Sequence, residues 1–262
     1  MEIEQQIMDI AIENGATIAG IAAVDALKTS PSHLIYTKMG DYSGVGTVRD
    51  GSALPPEKLF NWPETAISAL VIGLSHPANK PELDWWDGRG TPGNRQLMGI
   101  IKRTRQDVEE KLGLGTHRLH YYVEKGGVFL KDAAVLAGLG CIGENNMLVT
   151  PDYGPRVRLR AMFITEALNP SGPVPFDPCA DCKVKCRRVC PEGAMAEKAP
   201  IFEAIDDPVD LPARDGAYNR ENCNVRMEKD VAESKAADSD GQALIRYCRK
   251  CEFVCPVGRS RE

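Results

Sequence analysis

No stretch of this 262-residue chain approaches the roughly 20 consecutive apolar residues that a bilayer-crossing helix requires, and no membrane segment is expected. Nor is there a surplus of positive charge: the formal net charge is -5, which does not favour the phosphate backbones of nucleic acids. The first thirteen residues, MEIEQQIMDIAIE, are acidic rather than basic-then-apolar and do not read as a secretion signal. A Gly-Lys dipeptide of the phosphate-binding loop and a Gly-x-Ser-x-Gly nucleophile elbow are both missing. Histidine is scarce, at four residues. His117 and His120 fall on a predicted strand, where positions three apart face opposite ways. These absences point to a cytoplasmic globular protein with reduced thiols, and 43% hydrophobic content is enough for a sizeable core.

What the chain does have is cysteine. Eight of its nine form an ordered pattern near the C-terminal end: Cys179-x2-Cys182-x3-Cys186-x3-Cys190-Pro191, then Cys223, then Cys248-x2-Cys251-x3-Cys255-Pro256. A cubane iron–sulfur cluster takes four thiolates, and eight ordered cysteines supply two such sets. Gaps of two and three residues let one turn of backbone wrap three corners of a cube, and each closing proline stops a helix from running on. In two-cluster ferredoxins the fourth cysteine of a run reaches the other cluster. That rule gives one cluster to Cys179, Cys182, Cys186 and Cys255, and the other to Cys190, Cys223, Cys248 and Cys251. Both are read as 4Fe-4S; the x3 gap between Cys182 and Cys186, where x2 is usual, leaves room for a 3Fe-4S form of the first. Zinc would want paired Cys-x2-Cys units around one tetrahedral ion, and disulfides belong to secreted chains; neither suits the pattern as well. Two cubanes would add roughly four negative charges to the holoprotein.

Composition shifts at Asn169-Pro-Ser-Gly-Pro173, which is read as a seam between residues 1–170 and 171–262. Ile3, Ile7, Ile10 and Ala11 predict a helix ended by Asn14-Gly15, with a strand over Ala16–Val24. Ser30–Glu64 is rich in Gly, Pro, Ser and Asp and reads as long loops of the kind that wall ligands. Ala66–Leu74 predicts a buried strand. After a loop carrying Trp85 and Trp86, which either anchor it or stack on a flat ligand, Asn94 is the expected N-cap of a helix with Leu97, Ile101, Val108 and Leu112 on one face. His117–Val123 predicts a strand and Val128–Ala137 a helix closed by Gly138. Arg156–Phe163 alternates like a half-exposed strand whose polar face carries Arg156, Arg158 and Arg160.

Gly138-Leu-Gly-Cys-Ile-Gly143 matches GxGxxG, but it follows a predicted helix rather than a strand, the wrong context for a dinucleotide fold. Taken together, Ala137-Gly-Leu-Gly-Cys-Ile-Gly143 with Asn145-Asn146, the arginine-rich strand and the ordered cysteines resemble epoxyqueuosine reductases, relatives of the reductive dehalogenases, over residues 10 to 258. The resemblance implies an α/β (α+β) cobalamin-binding-like domain followed by a two-cluster bacterial ferredoxin-like domain. It implies two 4Fe-4S clusters that pass electrons one at a time to a cobalamin, whose cobalt supplies the reactivity. It places Gly140, Cys141, Ile142, Gly143, Asn145, Arg156 and Arg158 at the corrinoid, and an acidic proton donor thirteen positions before Ala137, which here is Glu124 where the family has Asp. Tyr121, Tyr122 and Lys131 are alternative acids, with a plainer reading as residues that pack or snorkel. The ninth cysteine, Cys141, has a plainer reading as a small buried residue.

The departures concern substrate. The chain ends at Glu262, where the family carries further sequence and a basic surface for transfer RNA, so nucleic acid is not expected as a partner. The expectation is a reductase acting on a different small molecule or on a corrinoid protein, fed by an external low-potential ferredoxin or flavodoxin type donor. The competing reading is a corrinoid-free two-cluster electron carrier; a flavin in place of the corrinoid is a third.

Overall fold

A computed structural model describes residues 2–36, 44–45, 60, 62–197, 214–236 and 244–259. Much of the loop-rich Ser30–Glu64 stretch lies outside them. Four strands form one sheet: β1 (Ile18–Ala23), β2 (Ser68–Ser75), β3 (Thr116–Arg118) and β6 (Val157–Ile164), in the order β1-β2-β6-β3 with every pair antiparallel. A hairpin of β4 (Cys141–Ile142) and β5 (Leu148–Val149) stands apart from it. All-antiparallel pairing makes this half an α+β arrangement.

The register of β2 on β6 sorts the core into two layers, because alternate side chains leave a strand on opposite faces. Leu70, Ile72, Met162 and Ile164 meet Ile7 and Ile10 of α1 (Ile3–Glu13) and Leu97, Ile100 and Val108 of α4 (Pro92–Leu112). Ala69, Val71, Ala161 and Phe163 meet Leu27 of α2 (Val24–Lys28) and Ala133 and Ala134 of α5 (Leu130–Leu136). A further short helix, α3 (Pro31–Ile35), contributes His33 to an aromatic group with Phe60, Trp62 and Phe129. Beyond Ile164 the chain runs as coil to α6 (Lys185–Val189), then α7 (Arg220–Ala236) and α8 (Lys250–Phe253).

Three expectations need correction. Thr91, not Asn94, caps α4: its hydroxyl accepts from the Asn94 N–H at 3.2 Å, and Pro92 takes the first turn, where a missing N–H costs nothing. The strand expected over His117–Val123 stops at Arg118, and Val123–Lys125 is a single 3-10 turn. The Arg156–Arg160 face is not solvated. β6 is an inner strand, and its arginines lie under α4 and the C-terminal cysteine run, with Arg156 only 2% exposed.

Burial pushes the His33 imidazole down to about 4, against the pull of Asp132. Its Nε2 accepts from the Phe129 N–H at 3.4 Å. A histidine kept neutral by the fold contributes stability that is complete above its unfolded value of about 6.5 and is lost as pH falls toward the folded one, at most about 3 kcal/mol here. His33→Phe is therefore expected to flatten the stability loss between pH 7 and pH 5 in urea titrations. An unchanged slope would remove His33 from the acid response.

Candidate functional site

The first cysteine set is assembled from three places. Cys179 and Cys182 lie on the coil before α6, Cys186 on α6, and Cys255 just after α8, which packs against α6. Cys186 feels the charges of Cys179, Cys182 and Cys255, and Cys255 that of Cys182. All four line one cavity, shared with Asn145 and Lys185. Burial pushes the Cys186 thiol up to about 11. The charges of Arg214 near Cys179 and Arg156 near Cys255 work in the opposite direction.

The second set draws Cys190 from the end of α6, Cys223 from α7, Cys248 from just before α8 and Cys251 from α8 itself. Cys251 feels Cys248, Cys223 and Cys190, and burial drives its thiol up to about 12. Among the described residues no three His, Cys, Asp or Glu side chains close on a single-ion site. Each set is a loose group of four half-buried thiols.

Several residues that hold these sets have no periodic or motif signal in the sequence. Asp230 accepts from the Cys248 N–H at 2.8 Å, tying α7 to the second run; Arg226 holds that carboxylate one turn away at 2.6 Å. Around the first set, Glu144 pairs with Arg187 and Arg214, which reach Asp215 and Asp177 at 2.8 Å each. α7 itself leaves no periodic signal in the sequence. It has no buried residue and hence no apolar stripe; its Glu and Lys-rich surface is legible only through the i, i+4 pair of Arg226 and Asp230.

The glycine motif has a packing explanation. A Cβ on Gly140 would lie 2.1 Å from the Val149 carbonyl oxygen, one on Gly138 2.6 Å from that of Ser171, and one on Gly143 2.5 Å from the Val149 side chain. Gly20 of β1 is pressed likewise against the Ala137 carbonyl, at 2.1 Å. The loop is thus a close meeting of backbones that fixes α5 to β1 and to the 171–172 segment. It sits beside the first cysteine set: burial pushes the Cys141 thiol up to about 11, and the charge of Cys179 adds to the rise. Ile142 pairs with Leu148 in the hairpin, and Asn145 donates to the Cys251 carbonyl at 3.4 Å.

Arg156 and Arg158 face the C-terminal cysteine run. Arg156 donates to the carbonyls of Val257 at 2.6 Å and Cys255 at 3.4 Å. Arg158 pairs with Asp84 at 2.9 Å and Glu252 at 3.0 Å, and Arg249 pairs with the same two acids. His76, fully buried, bonds Asp84 through Nδ1 at 2.9 Å. Burial pushes the Asp84 carboxyl up, but the His76 hydrogen bond and the Arg158 and Arg249 charges outweigh it and hold the group below the usual carboxylate range. Trp86 exchanges two backbone hydrogen bonds with Ile245, and Trp85 lies under the Arg246 guanidinium at 4.3 Å. The indole pair therefore belongs to this same contact.

Glu124 falls in the Val123–Lys125 turn, and its side chain lies outside the described residues. Tyr121 is half-exposed beneath the Arg160 guanidinium at 4.1 Å and meets Tyr122 edge-on. Lys131 donates to the backbone and side-chain oxygens of Asn146 at 2.7 and 2.9 Å, and burial pushes its ammonium down to about 8.

No family model matches the sequence. It is 25% identical over 276 residues to the epoxyqueuosine reductase of Listeria monocytogenes, spanning 99% of this chain and 66% of that protein. It is 41% identical over 128 residues to the tetrachloroethene reductive dehalogenase of Sulfurospirillum multivorans, spanning 47% of this chain and 22% of that one. The chain is thus similar over its whole length to epoxyqueuosine reductases and over about half of it to reductive dehalogenases. A crystal structure of selenomethionine-labelled epoxyqueuosine reductase superposes with a TM-score of 0.66 at 18% identity, over 99% of this chain and 66% of that one, which shows a shared fold. The chain spans about two thirds of the length of the epoxyqueuosine reductases it matches. Among the described residues no helix is long and apolar enough to cross a membrane.

The Asp84 network lies between the sheet and the second cysteine run, and its weight is testable. Removing one partner of a buried ion group typically costs about 3 kcal/mol or more. Asp84→Asn is expected to destabilise by about that amount at pH 7 in denaturant titrations. A depressed carboxyl contributes stability that is complete above its unfolded value of about 3.9 and is lost below it. The difference between wild type and variant should therefore shrink as pH falls beneath about 4; a difference independent of pH would assign the loss to packing alone.

Proposed function

We propose that the chain is an iron–sulfur oxidoreductase in which two 4Fe-4S clusters deliver single electrons to a corrinoid held against the α+β half, reducing a small molecule other than epoxyqueuosine or a corrinoid protein. Residues 1–170 form the corrinoid-binding-like domain and 171–262 the ferredoxin-like one. The observation that carries the cluster reading is the grouping of eight thiols into two sets of four, each taking one member from across the run boundary. Cys255 joins Cys179, Cys182 and Cys186, while Cys190 joins Cys223, Cys248 and Cys251. The first set gathers around a common cavity, and two sets of four thiols match two cubanes better than single zinc ions. The nearby Arg156 and Arg214 charges favour the thiolate form that such a cluster needs.

A corrinoid, when bound, supplies a strongly reducing and nucleophilic cobalt. The residues given to it, Gly140, Cys141, Ile142, Gly143, Asn145, Arg156 and Arg158, meet other parts of the chain itself. Support for that group comes from the similarity to epoxyqueuosine reductases and reductive dehalogenases. Those internal contacts favour, as the second reading, a corrinoid-free carrier that reduces a partner protein. The external donor in either case is of the low-potential ferredoxin or flavodoxin type, and Glu124 is the proposed proton donor in the first.

Protein purified anaerobically is expected to hold about eight iron and about eight sulfide per chain. Zinc, or no metal, would end the cluster reading. Cys255→Ala should cost about half the iron and leave the spectroscopic signature of the second cluster intact; loss of the second signature instead would reverse the assignment. Corrinoid titration with optical detection separates the two functions, since a carrier binds none. In the reductase Glu124→Gln should lower turnover about 100-fold or more at unchanged iron content, and full activity in that variant would discard the proton-donor role.

A further inference from the structure

The sequence is acidic overall, yet the backbone that wraps the thiols is basic. Cys182–Cys190 and Cys248–Cys255 carry six cations, Lys183, Lys185, Arg187, Arg188, Arg249 and Lys250, against one acid, Glu252. Two of the six are committed to the fold: Arg187 to Glu144 and Asp215, and Arg249 to Asp84 and Glu252. The other four, Lys183, Lys185, Arg188 and Lys250, are exposed and have no ion-pair partner among the described residues. They converge because α6 packs on α8, and α8 adds Phe253, an exposed aromatic, 36% accessible. A sequence with a net charge of -5 thus presents a compact cationic face with an apolar member directly over its two cysteine sets.

We propose that this α6–α8 face is the docking surface for the electron donor, and that the donor is a small acidic one-electron protein of the flavodoxin or ferredoxin class. The inference rests on the cluster reading above and adds the entry point for electrons. Charge complementarity selects the partner: exposed unpaired cations steer an acidic protein into encounter, and an apolar contact at the patch gives it a place to settle. Position selects a protein over a nucleic acid. The cations flank cluster ligands, Lys185 lines the first-set cavity beside Cys186, and the patch is confined to α8 and to α6 with Lys183 just before it, rather than extended along a groove that would track a phosphate backbone. Electron balance is simple: the donor's reduced centre loses one electron and one cluster gains it.

The test uses iron-loaded full-length protein and reduced flavodoxin, following cluster bleaching by stopped flow against ionic strength, with a photoreduced neutral deazaflavin as the small reductant. The second-order rate with flavodoxin should fall steeply with salt, and the combined substitution Lys183→Glu, Arg188→Glu, Lys250→Glu should lower it at least about tenfold. Iron content and the deazaflavin rate should not change. If the charge reversals disturb cluster loading, the glutamine versions at the same three positions replace them, with a smaller loss expected in the same direction. Salt-indifferent reduction of iron-loaded protein, or an unchanged flavodoxin rate in the variants, overturns the docking surface and leaves the cluster reading standing. Iron-free wild-type protein would bring down both. Salt-sensitive binding of bulk transfer RNA, abolished by the same substitutions while the flavodoxin rate is untouched, would reassign the face to a phosphate backbone and overturn the proposal.

Discussion

The molecule depends on a buried cluster of charges where the sheet meets the C-terminal cysteine run. Asp84 and Glu252 are each shared between Arg158 and Arg249, His76 supports Asp84 from behind, and Arg156 reaches the carbonyls beyond Cys255. Desolvating this many ions is costly, and the cost is offset only because each carboxylate meets more than one guanidinium and the geometry is fixed by packed elements. An apolar seam of the same area would stick the halves together in many registers. A seam of forked guanidiniums on carboxylates accepts one, which places the backbone of Cys248–Cys255, and hence its three thiols, at a defined position.

That seam explains what was readable in the sequence and what was not. The sheet halves were readable because burial on an inner strand leaves a period-two signal: Ser68–Ser75 and Val157–Ile164 are both near-continuous or alternating apolar runs. The spacing of the eight cysteines is legible in the sequence, whereas the packing of α6 against α8 is not. The arginines of β6 misled for a physical reason. Alternation of Arg with apolar residues is the pattern of a solvated face, and nothing local tells it apart from a face covered by a distant, oppositely charged segment. Asp84 and Glu252 are 168 residues apart in numbering, and their partnership with Arg158 exists only in the folded chain. Asp230 was hidden similarly, as a carboxylate on a helix without a buried face.

The glycine motif shows the same limit from the other side. Its residues were legible as special, but not the reason for it. Gly138, with φ +71°, and Gly140, with φ +153°, allow α5 to end abruptly and its next backbone to lie against Ser171 and Val149 at distances no Cβ would permit. A fingerprint that in other folds leaves room for phosphate is used here to bring backbone against backbone. The consequence is positional: the loop that leaves α5 is delivered to the wall of the first cysteine set, where Asn145 and Glu144 meet the cavity.

Two opposing electrostatic demands then meet in the last ninety residues. Thiols crowded in half-buried groups resist ionisation, which is why burial drives Cys186 and Cys251 upward, and metal binding has to draw their protons off. Cations nearby ease that demand, and the chain places them at two depths. The inner ones, Arg156, Arg187, Arg214 and Arg249, are tied to carboxylates or carbonyls and act on the thiols through a fixed geometry. The outer ones, Lys183, Lys185, Arg188 and Lys250, are exposed, and water screens most of what they could contribute to a buried thiolate. Charges so placed act weakly inward and strongly outward, on whatever approaches the surface. The inner arginines therefore serve the cysteine sets, whereas the outer cations are better explained by an approaching molecule than by the sets beneath them.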